Sequence, residues 1–567
     1  MLFIDFLAFC MKKLIKKHWP IFIALVVLLI SLVSLLLLSL HKTQGKLIYT
    51  LDDAYIHMSM AKNLSKYGIY GITQYEFTSS SSSPLWTITI AAVYFIFGIH
   101  ESVPFIINSA LSVILLIVIY GILKSSSLGN FLVFVMLIIA IYFTPLLALI
   151  FTGMEHVLHI LLCFIFIWVI AALMLEENER KAQKNSLLLF FLTIFIAMTR
   201  FESYAIILSG CILLLLKRKW KLTILIAIAG ILPLVIYQMI SVHHGWPILP
   251  NSILIRSQIY KYELFNSQQV MVINTAKYGL RVFFANLIFN FFTAQHLSLL
   301  VLLAILLLIV LLWISRPKWT KFIVVLVFFV ITGSLHLQFG KIGHFYRYEA
   351  YLIPVGLIAN LFGGIEIYKL KKKILRNKTI SIILLMGLLY FMSFGLTALV
   401  SRGYNAFVQI PLASKNIYEQ QYQMALFLRE FYPQATVALN DIGAISFLTD
   451  VRLVDLVGLA SNDVFKSRLE GSYKKDKIEE ICRRNGVDIA ILYDVWFYFE
   501  DIGGIPESWV MVGNWTISDN VVCGSSKVSF YAVKAEEKEN LLKNLKLFAN
   551  RLPPTVKQSG AYLELKN

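Results

Sequence analysis

Charge is scarce in this chain. Only 15% of its 567 residues are Asp, Glu, Lys or Arg, while 58% are hydrophobic and the mean hydropathy is +0.74. A water-soluble domain has too little interior for so much apolar surface, so most of the chain belongs in lipid. Acidic residues are the rarer sign, 33 against 51 basic, for a net charge of +18. The excess is not a nucleic-acid stripe. It sits in short segments between apolar runs, at Lys12–Lys17, Lys217–Lys221 and Lys369–Lys378. That is the signature of cytoplasmic loops, and it calls for no nucleic-acid partner.

Other absences narrow the reading further. The five cysteines have no metal-ligand spacing. Cys163 and Cys211 fall in apolar runs and read as core, while Cys482 and Cys523 are able to pair only if their domain faces an oxidising compartment. No small-residue cleavage site follows Ile21–Leu40, which is also long for a signal segment and reads as an uncleaved first span. Past Ser401 there is no Gly-rich nucleotide loop or P-loop, so nothing there suggests a dinucleotide or ATP site. There is no internal repeat, and the only low-complexity tract is Ser79–Ser83.

What the chain has is apolar runs: 20–40, 84–98, 104–123, 131–149, 153–175, 186–198, 202–216, 222–240, 297–314, 322–338, 349–367 and 379–399. Several fall short of the roughly 20 residues a straight span needs, so tilt, interfacial ends or re-entry are expected among them. Placing the basic loops inside puts 41–83, 199–202, 241–296, 339–348 and everything after 400 outside. Between residues 84 and 176 the count does not close, because four runs lie where an odd number of crossings is required. The break at Thr144–Pro145 makes run 131–149 or its neighbour a candidate re-entrant hairpin, and stretch 281–294 is expected in the interface.

Past Ser401 the composition changes. Candidate helices (415–432, 474–485, 535–549) alternate with short β-type runs at Thr436–Leu439, Arg452–Leu456, Asp488–Tyr493 and Val528–Val533, an α/β pattern. The expected architecture is mainly α: a polytopic bundle of about 11–13 spans over 1–400, with 41–83 as first outer loop, and a soluble extracytoplasmic α/β domain over 401–567.

Ionisable residues at membrane boundaries are costly, about 2.5–3.5 kcal/mol near the bilayer centre, so their placement carries information. Here it is one-sided. Asp52, Asp53, Glu155, Arg200, Glu202, Arg256, His344, Arg347 and Glu349 all fall at outer ends of spans, whereas a transporter buries such groups near the midplane. Asp52–Asp53 opens a segment in which Ile56, Met60, Leu64 and Tyr67 recur at helical spacing before Gly68, an amphipathic helix expected to lie on the membrane. One Asp is accounted for as a helix cap; a second carboxylate beside lipid is not. Arg200–Phe201–Glu202 forms the outer turn of a hairpin and reads equally as an ion pair or as a functional pair. Glu155 sits where a helix N-terminus welcomes negative charge. His243–His244 lacks a third ligand at convincing spacing. Arg347 lies among interfacial aromatics, Phe345, Tyr346 and Tyr348.

Taken in order, these residues resemble the GT-C superfamily of integral-membrane glycosyltransferases, nearest in feel to its arabinofuranosyltransferase-like and protein O-mannosyltransferase-like bacterial members. The motifs are Asp52–Asp53–Ala54–Tyr55–Ile56, Ser82–Ser83–Pro84–Leu85–Trp86, Gly153–Met154–Glu155, the Arg200–Glu202 turn, the loop Gly245, Pro247, Pro250, Asn251 with Arg256 five positions on, Arg347–Tyr348, and Asp455–Gly458–Leu459. Arg256 stands where the pattern has Lys, and Phe201 where it has Pro. The resemblance implies a multi-pass protein of the bacterial inner membrane that takes sugar from a polyprenyl-phosphate donor. It implies transfer, with inversion, to an envelope glycan, lipid or protein on the outer face. No cofactor is required, and the pattern is compatible with a divalent metal ion. It implies Asp52 and Asp53 as catalytic carboxylates, and Glu155, Arg200, Glu202, Asn251, Arg256, His344 and Arg347 as donor-phosphate or substrate-binding residues. Between the two aspartates, Asp52 is expected to face the reaction and Asp53 to cap the helix. A lipid-linked glycan transporter and a membrane-anchored envelope-assembly protein are the alternative functions.

Overall fold

The computed structural model describes residues 2–251, 288–314, 318–498 and 502–564, with backbone alone for 2–15. Eight helices among the described residues are long and apolar enough to cross a bilayer, from Lys16–Lys42 to the rod Lys378–Phe431, with shorter apolar helices Pro84–Phe97, Asn130–Phe143 and Ser203–Leu216 beside them. Their outward faces expose Leu29, Ile30, Leu37, Ile228 and Met239. A band of this size is stable only against lipid, so this is a multi-pass membrane protein.

The basic loops gather at one end of the bundle. His18 Nδ1 lies 2.7 Å from Tyr120 Oη, Lys219 Nζ donates to Leu173 O at 2.6 Å, Lys217 covers the Trp319 ring and Lys321 the Trp168 ring. The opposite end carries the C-terminal domain and is called the domain face below.

The crossing count closes through a correction. Pro84–Phe97 is not a span. Near its start Leu85 N donates to Met198 O and Trp86 Nε1 to Gly153 O. Just past its end the Glu101 carbonyl accepts from Tyr49 Oη at 2.6 Å. Both ends therefore lie at the domain face. Its 14 residues rise about 21 Å, too little for a hydrocarbon core of about 30 Å. Crossings between 84 and 176 are then Val103–Ser125, the broken pair Asn130–Phe143 and Leu146–Phe151, and His156–Leu173. The break at Thr144–Pro145 stands, as proline requires, but the segment crosses. Of stretch 281–294 only 288–294 lies within the described residues, where Phe289 and Phe292 are exposed.

A second correction concerns the helix Asp53–Tyr67. Gly68, at φ 70, stops it as expected, but it does not lie open on the membrane. Tyr55, Met58 and Met60 are fully buried, because helix Pro84–Phe97 packs on one side and helix Gly443–Leu448 covers the other.

The last apolar run continues without a linker into the C-terminal domain. One helical rod passes from Lys378 to Phe431 through π-helical turns at Phe391–Gly395 and Tyr418–Tyr422. The domain is a six-stranded sheet: β1 Thr436–Leu439, β2 Arg452–Asp455, β3 Ile489–Leu492, β4 Val510–Thr516, β5 Lys527–Ala532 and β6 Lys557–Ser559. Their order is β2-β1-β3-β5-β4-β6. The first three are parallel and the rest antiparallel. Strand side chains alternate between two cores, Val437, Leu439, Ile489 and Ile491 on one face and Ala438, Ala490 and Leu492 on the other. Cys523 belongs to the first core and Cys482 to the second, so the sheet separates them and both are free thiols.

Candidate functional site

Glu155 opens the helix His156–Leu173, two residues after Gly153, whose φ of 66 and proximity to the Tyr49 ring admit no side chain. Glu155 is fully buried. Its Oε1 accepts from Arg200 Nη1 at 2.6 Å. Its Oε2, without a hydrogen-bond partner, faces His57 Nε2 at 3.7 Å. Arg200 also forks onto Glu202, at 3.0 and 2.8 Å. Arg200 thus bridges two carboxylates, and the hairpin turn that carries Arg200 and Glu202 is an ion pair braced on a third chain segment.

His57 stands one helical turn after Asp53, on the same side of the helix. Its Nδ1 meets Thr87 Oγ1 at 3.0 Å and its Nε2 meets Ser82 Oγ at 3.4 Å. Burial holds it below the ordinary imidazole range.

Arg347 is 1% exposed and reaches Asp53 Oδ2 through Nη2 at 2.6 Å. The same nitrogen lies 2.8 Å from His344 Nδ1, while Nε is buried without a partner. The turn presenting these groups is strained: Gly343, His344, Phe345 and Tyr346 all have φ between 46 and 83, a run that costs of order 1–2 kcal/mol at each non-glycine position. Glu349 anchors it, accepting from Gly343 N at 2.8 Å and from the Arg402 guanidinium. The Tyr348 ring lies between the Arg200 and Arg347 guanidinium groups, 5.5 and 5.3 Å away.

The two aspartates part company. Asp52 is 7% exposed and turns into the C-terminal domain, where its carboxylate accepts from Gly443 N at 2.5 Å and Ala444 N at 2.7 Å. Asp53 is 21% exposed and held toward the bundle by Arg347. Both aspartates border the same polar cavity, with Asp52 fastened to the C-terminal domain and Asp53 to the bundle. With Asp53 on a guanidinium and Asp52 on backbone amides, the pair does not converge on one point, a poor fit to a shared divalent ion.

Asn251 is buried and bridges two regions, donating through Nδ2 to Gly458 O at 2.8 Å and through its backbone to Ser79 O. Asp455 accepts from Val457 N and Ala460 N, which shapes the turn that Asn251 grips. Arg256 lies outside the described residues.

Several site groups were not legible in sequence. Asp441, Asn440, Gln421 and Trp496 come from the C-terminal domain and the second π-turn, and line a polar cavity of about 310 Å³ with Asp52, Asp53 and His344. Gln421 Nε2 donates to Asp441 Oδ2 at 2.6 Å and to Tyr493 Oη at 2.8 Å. Asp441 and Asp52 lie close enough for each to act on the ionisation of the other. Burial pushes both carboxyls up, and the Asp52 charge pushes Asp441 well above the usual range, so the fold favours a proton on the pair.

That proton gives a pH prediction. Unfolded carboxyls ionise near about pH 4, while the folded pair stays protonated above that. The folded state then binds more protons than the unfolded one, and this contribution to stability is lost as pH rises from about 4 toward the folded pKa. Asp441→Asn puts a neutral group beside Asp52 at every pH. Its melting temperature in detergent should exceed that of the unmodified protein by an amount growing with pH; a difference that is flat or shrinks would contradict the raised pKa of the pair.

Two apolar cavities open at the other side of the site. One of about 820 Å³ lies between helices Asp53–Tyr67 and Trp220–His243, walled by Leu64, Ile88, Ile194, Met198, Leu232 and Ile236. The second, of about 460 Å³, is lined by Leu208, Leu335, His336, Phe339, Lys341 and Tyr348. Both include Ser82 and Arg200. A narrow gap of about 20 Å³ bounded by Asp53, His57, Ser80, Ser82 and Met154 separates this junction from the polar cavity.

A family model described as a domain of unknown function (DUF8728) matches residues 415–531, the π-turn and most of the sheet domain. No curated protein matches the chain in sequence. Among solved structures, the chain is similar to ArnT from Cupriavidus metallidurans bound to undecaprenyl phosphate. Identity is 10% and the TM-score 0.48, over 89% of this chain and 98% of that one. The apo ArnT structure gives 9% and 0.47, over 92% and 99%. The Archaeoglobus fulgidus oligosaccharyltransferase in complex with zinc and sulfate gives 12% and 0.47, over 88% and 73%.

Proposed function

We propose that the protein is a glycosyltransferase of the GT-C type that moves a sugar from a polyprenyl-phosphate donor to an envelope acceptor. Its domain face lies on the outer side of the bacterial inner membrane. The observation that carries this reading is the order of the cavities. Apolar space within the membrane leads to Ser82 and Arg200, then through the gap beside Asp53 to a polar cavity roofed by the C-terminal domain. A transfer enzyme with one lipid-borne and one water-borne substrate needs that order.

The prenyl chain fits the larger apolar cavity and places its phosphate at the junction. Arg200, held by Glu155 and Glu202, fixes the shape of that junction, and Lys341 and Arg347 add positive charge around it. A phosphate is already a good leaving group, so it asks for cationic and hydrogen-bond stabilisation as negative charge develops. The acceptor hydroxyl enters from the polar side. Its oxygen attacks the anomeric carbon, the C–O bond to phosphate breaks with both electrons going to the phosphate, and the hydroxyl proton passes to Asp53. Nucleophile and leaving group lie on opposite sides of the gap, so the sugar inverts. Arg347 holds the Asp53 carboxylate in place for this step.

In cells lacking the protein, mass spectrometry should find one polyprenyl-phosphate sugar accumulating and its sugar missing from the envelope; both unchanged would contradict the reading. Orientation is tested separately. A periplasm-active reporter fused after Phe431 should be active and one fused at Lys372 inactive, and the reverse result would turn the site to the cytoplasm.

A further inference from the structure

We propose that the polar cavity under the C-terminal domain is an acceptor subsite for a neutral saccharide, with the Trp496 indole as its stacking face and Asp441 as its hydrogen-bonding carboxyl. The proposal rests on the glycosyltransferase reading and names its acceptor class.

The chemistry of the wall makes the selection. Among the described residues lining it, Asp52, Asp53, Asp441 and Asp455 are carboxyls and no lysine or arginine is present. The Arg347 guanidinium beside the cavity is already engaged by Asp53, so an acceptor bearing phosphate or another anion would meet a surplus of carboxyls, which disfavours an anionic lipid head group. Asn440 and Gln421 add amide groups beside the carboxyls. Carboxyl and amide groups together offer paired acceptors and donors, the pattern that neighbouring hydroxyls of a sugar satisfy.

Trp496 gives this polar wall an apolar face. Its Nε1 donates to Gly524 O at 3.3 Å, and Gly524 leaves so little space that a Cβ there would lie 2.4 Å from the indole. Tyr493 packs on it with ring centroids 5.5 Å apart. The ring is therefore fixed in place yet only half buried, as an aromatic platform for the C–H face of a sugar must be. Asp441 is also held, by Gln421 and Tyr493. Rigid, preorganised groups at a cavity that opens toward Asp53 suit a binding site better than a structural filler.

The test is saturation-transfer NMR on the full chain in nanodiscs. The probes are methyl pyranosides and furanosides of neutral hexoses and pentoses, with glycerol phosphate and a serine-containing tetrapeptide as competing classes. At least one neutral glycoside should bind, Trp496→Phe should retain it within a few-fold, and Trp496→Ala and Asp441→Asn should each weaken it by about tenfold. Binding of undecaprenyl phosphate should be the same in all variants, which also shows that they are folded. Failure of every glycoside to bind, equal binding by Trp496→Ala, or selective binding of glycerol phosphate or the peptide would each overturn the proposal. Because the readout is binding, saccharide binding without sugar transfer would instead count against the enzyme reading alone.

Discussion

Asp53→Asn protein is expected to insert, fold and bind a polyprenyl-phosphate donor, and to lose sugar transfer by about 10²–10⁴-fold, the usual contribution of a positioned base. The substitution keeps the shape of the side chain and an oxygen for Arg347, but removes the lone-pair basicity that an attacking hydroxyl requires. Asp52→Asn should behave differently. Its carboxylate accepts two backbone N–H bonds from Gly443 and Ala444, and an amide turns its NH₂ toward one of those donors. One buried N–H is then unpaired, at a cost of about 1–3 kcal/mol. Asp52→Asn is expected to lower the melting temperature and loosen the C-terminal domain, with activity falling in proportion to the loss of docked protein. Transfer rate and melting temperature measured on both variants at matched expression separate the two roles. A silent Asp53→Asn beside an inactive but stable Asp52→Asn would restore Asp52 as the base.

The second large effect is expected at Gly443. A Cβ built there lies 2.1 Å from the Asp52 carbonyl oxygen and 2.7 Å from Asp52 Oδ2, and neither neighbour is a flexible chain end that is able to swing away. Gly443→Ala must push helix Gly443–Leu448 off helix Asp53–Tyr67, breaking both Asp52 hydrogen bonds and moving Asp441 two residues upstream. Overpacking of this kind costs about 1–3 kcal/mol and more where backbone must shift. Protease sensitivity of the C-terminal domain should rise sharply and transfer should be lost. Gly364→Ala is the control: nothing lies within 4 Å of its Cβ position, and alanine favours its helix. Equal protease resistance in Gly443→Ala and Gly364→Ala would show that the seam is looser than its geometry implies.

Much of this architecture is written in local pattern. Apolar runs bounded by lysines located the spans, and the strands β1, β2, β3 and β5 announced themselves through Val, Ile and Leu. What local pattern hides is anything decided by distant chain. Pro84–Phe97 is as apolar as a span because one side faces lipid, and only the Tyr49–Glu101 contact reveals that both ends share one face. β4 escapes because Gly513 sits at an irregularity in its pairing with β5, and β6 because its three residues are polar and pair only with that strand. The candidate site divides the same way. Asp52, Asp53, Glu155, Arg200 and Arg347 stood out because charge beside lipid is costly. Their partners did not, since those of Asp52 lie 391 and 392 residues away in sequence. Asp441 and Gln421 sit in a domain where polar residues are ordinary, so nothing in the sequence singled them out.

The most direct measurement is turnover by the purified protein in proteoliposomes supplied with polyprenyl-phosphate sugars and an envelope extract. The account predicts release of free polyprenyl phosphate matched one for one by sugar joined to acceptor, with Asp53→Asn releasing neither. Donor left intact across the polyprenyl-phosphate sugars of the organism, by protein that is folded and binds the lipid, would contradict it.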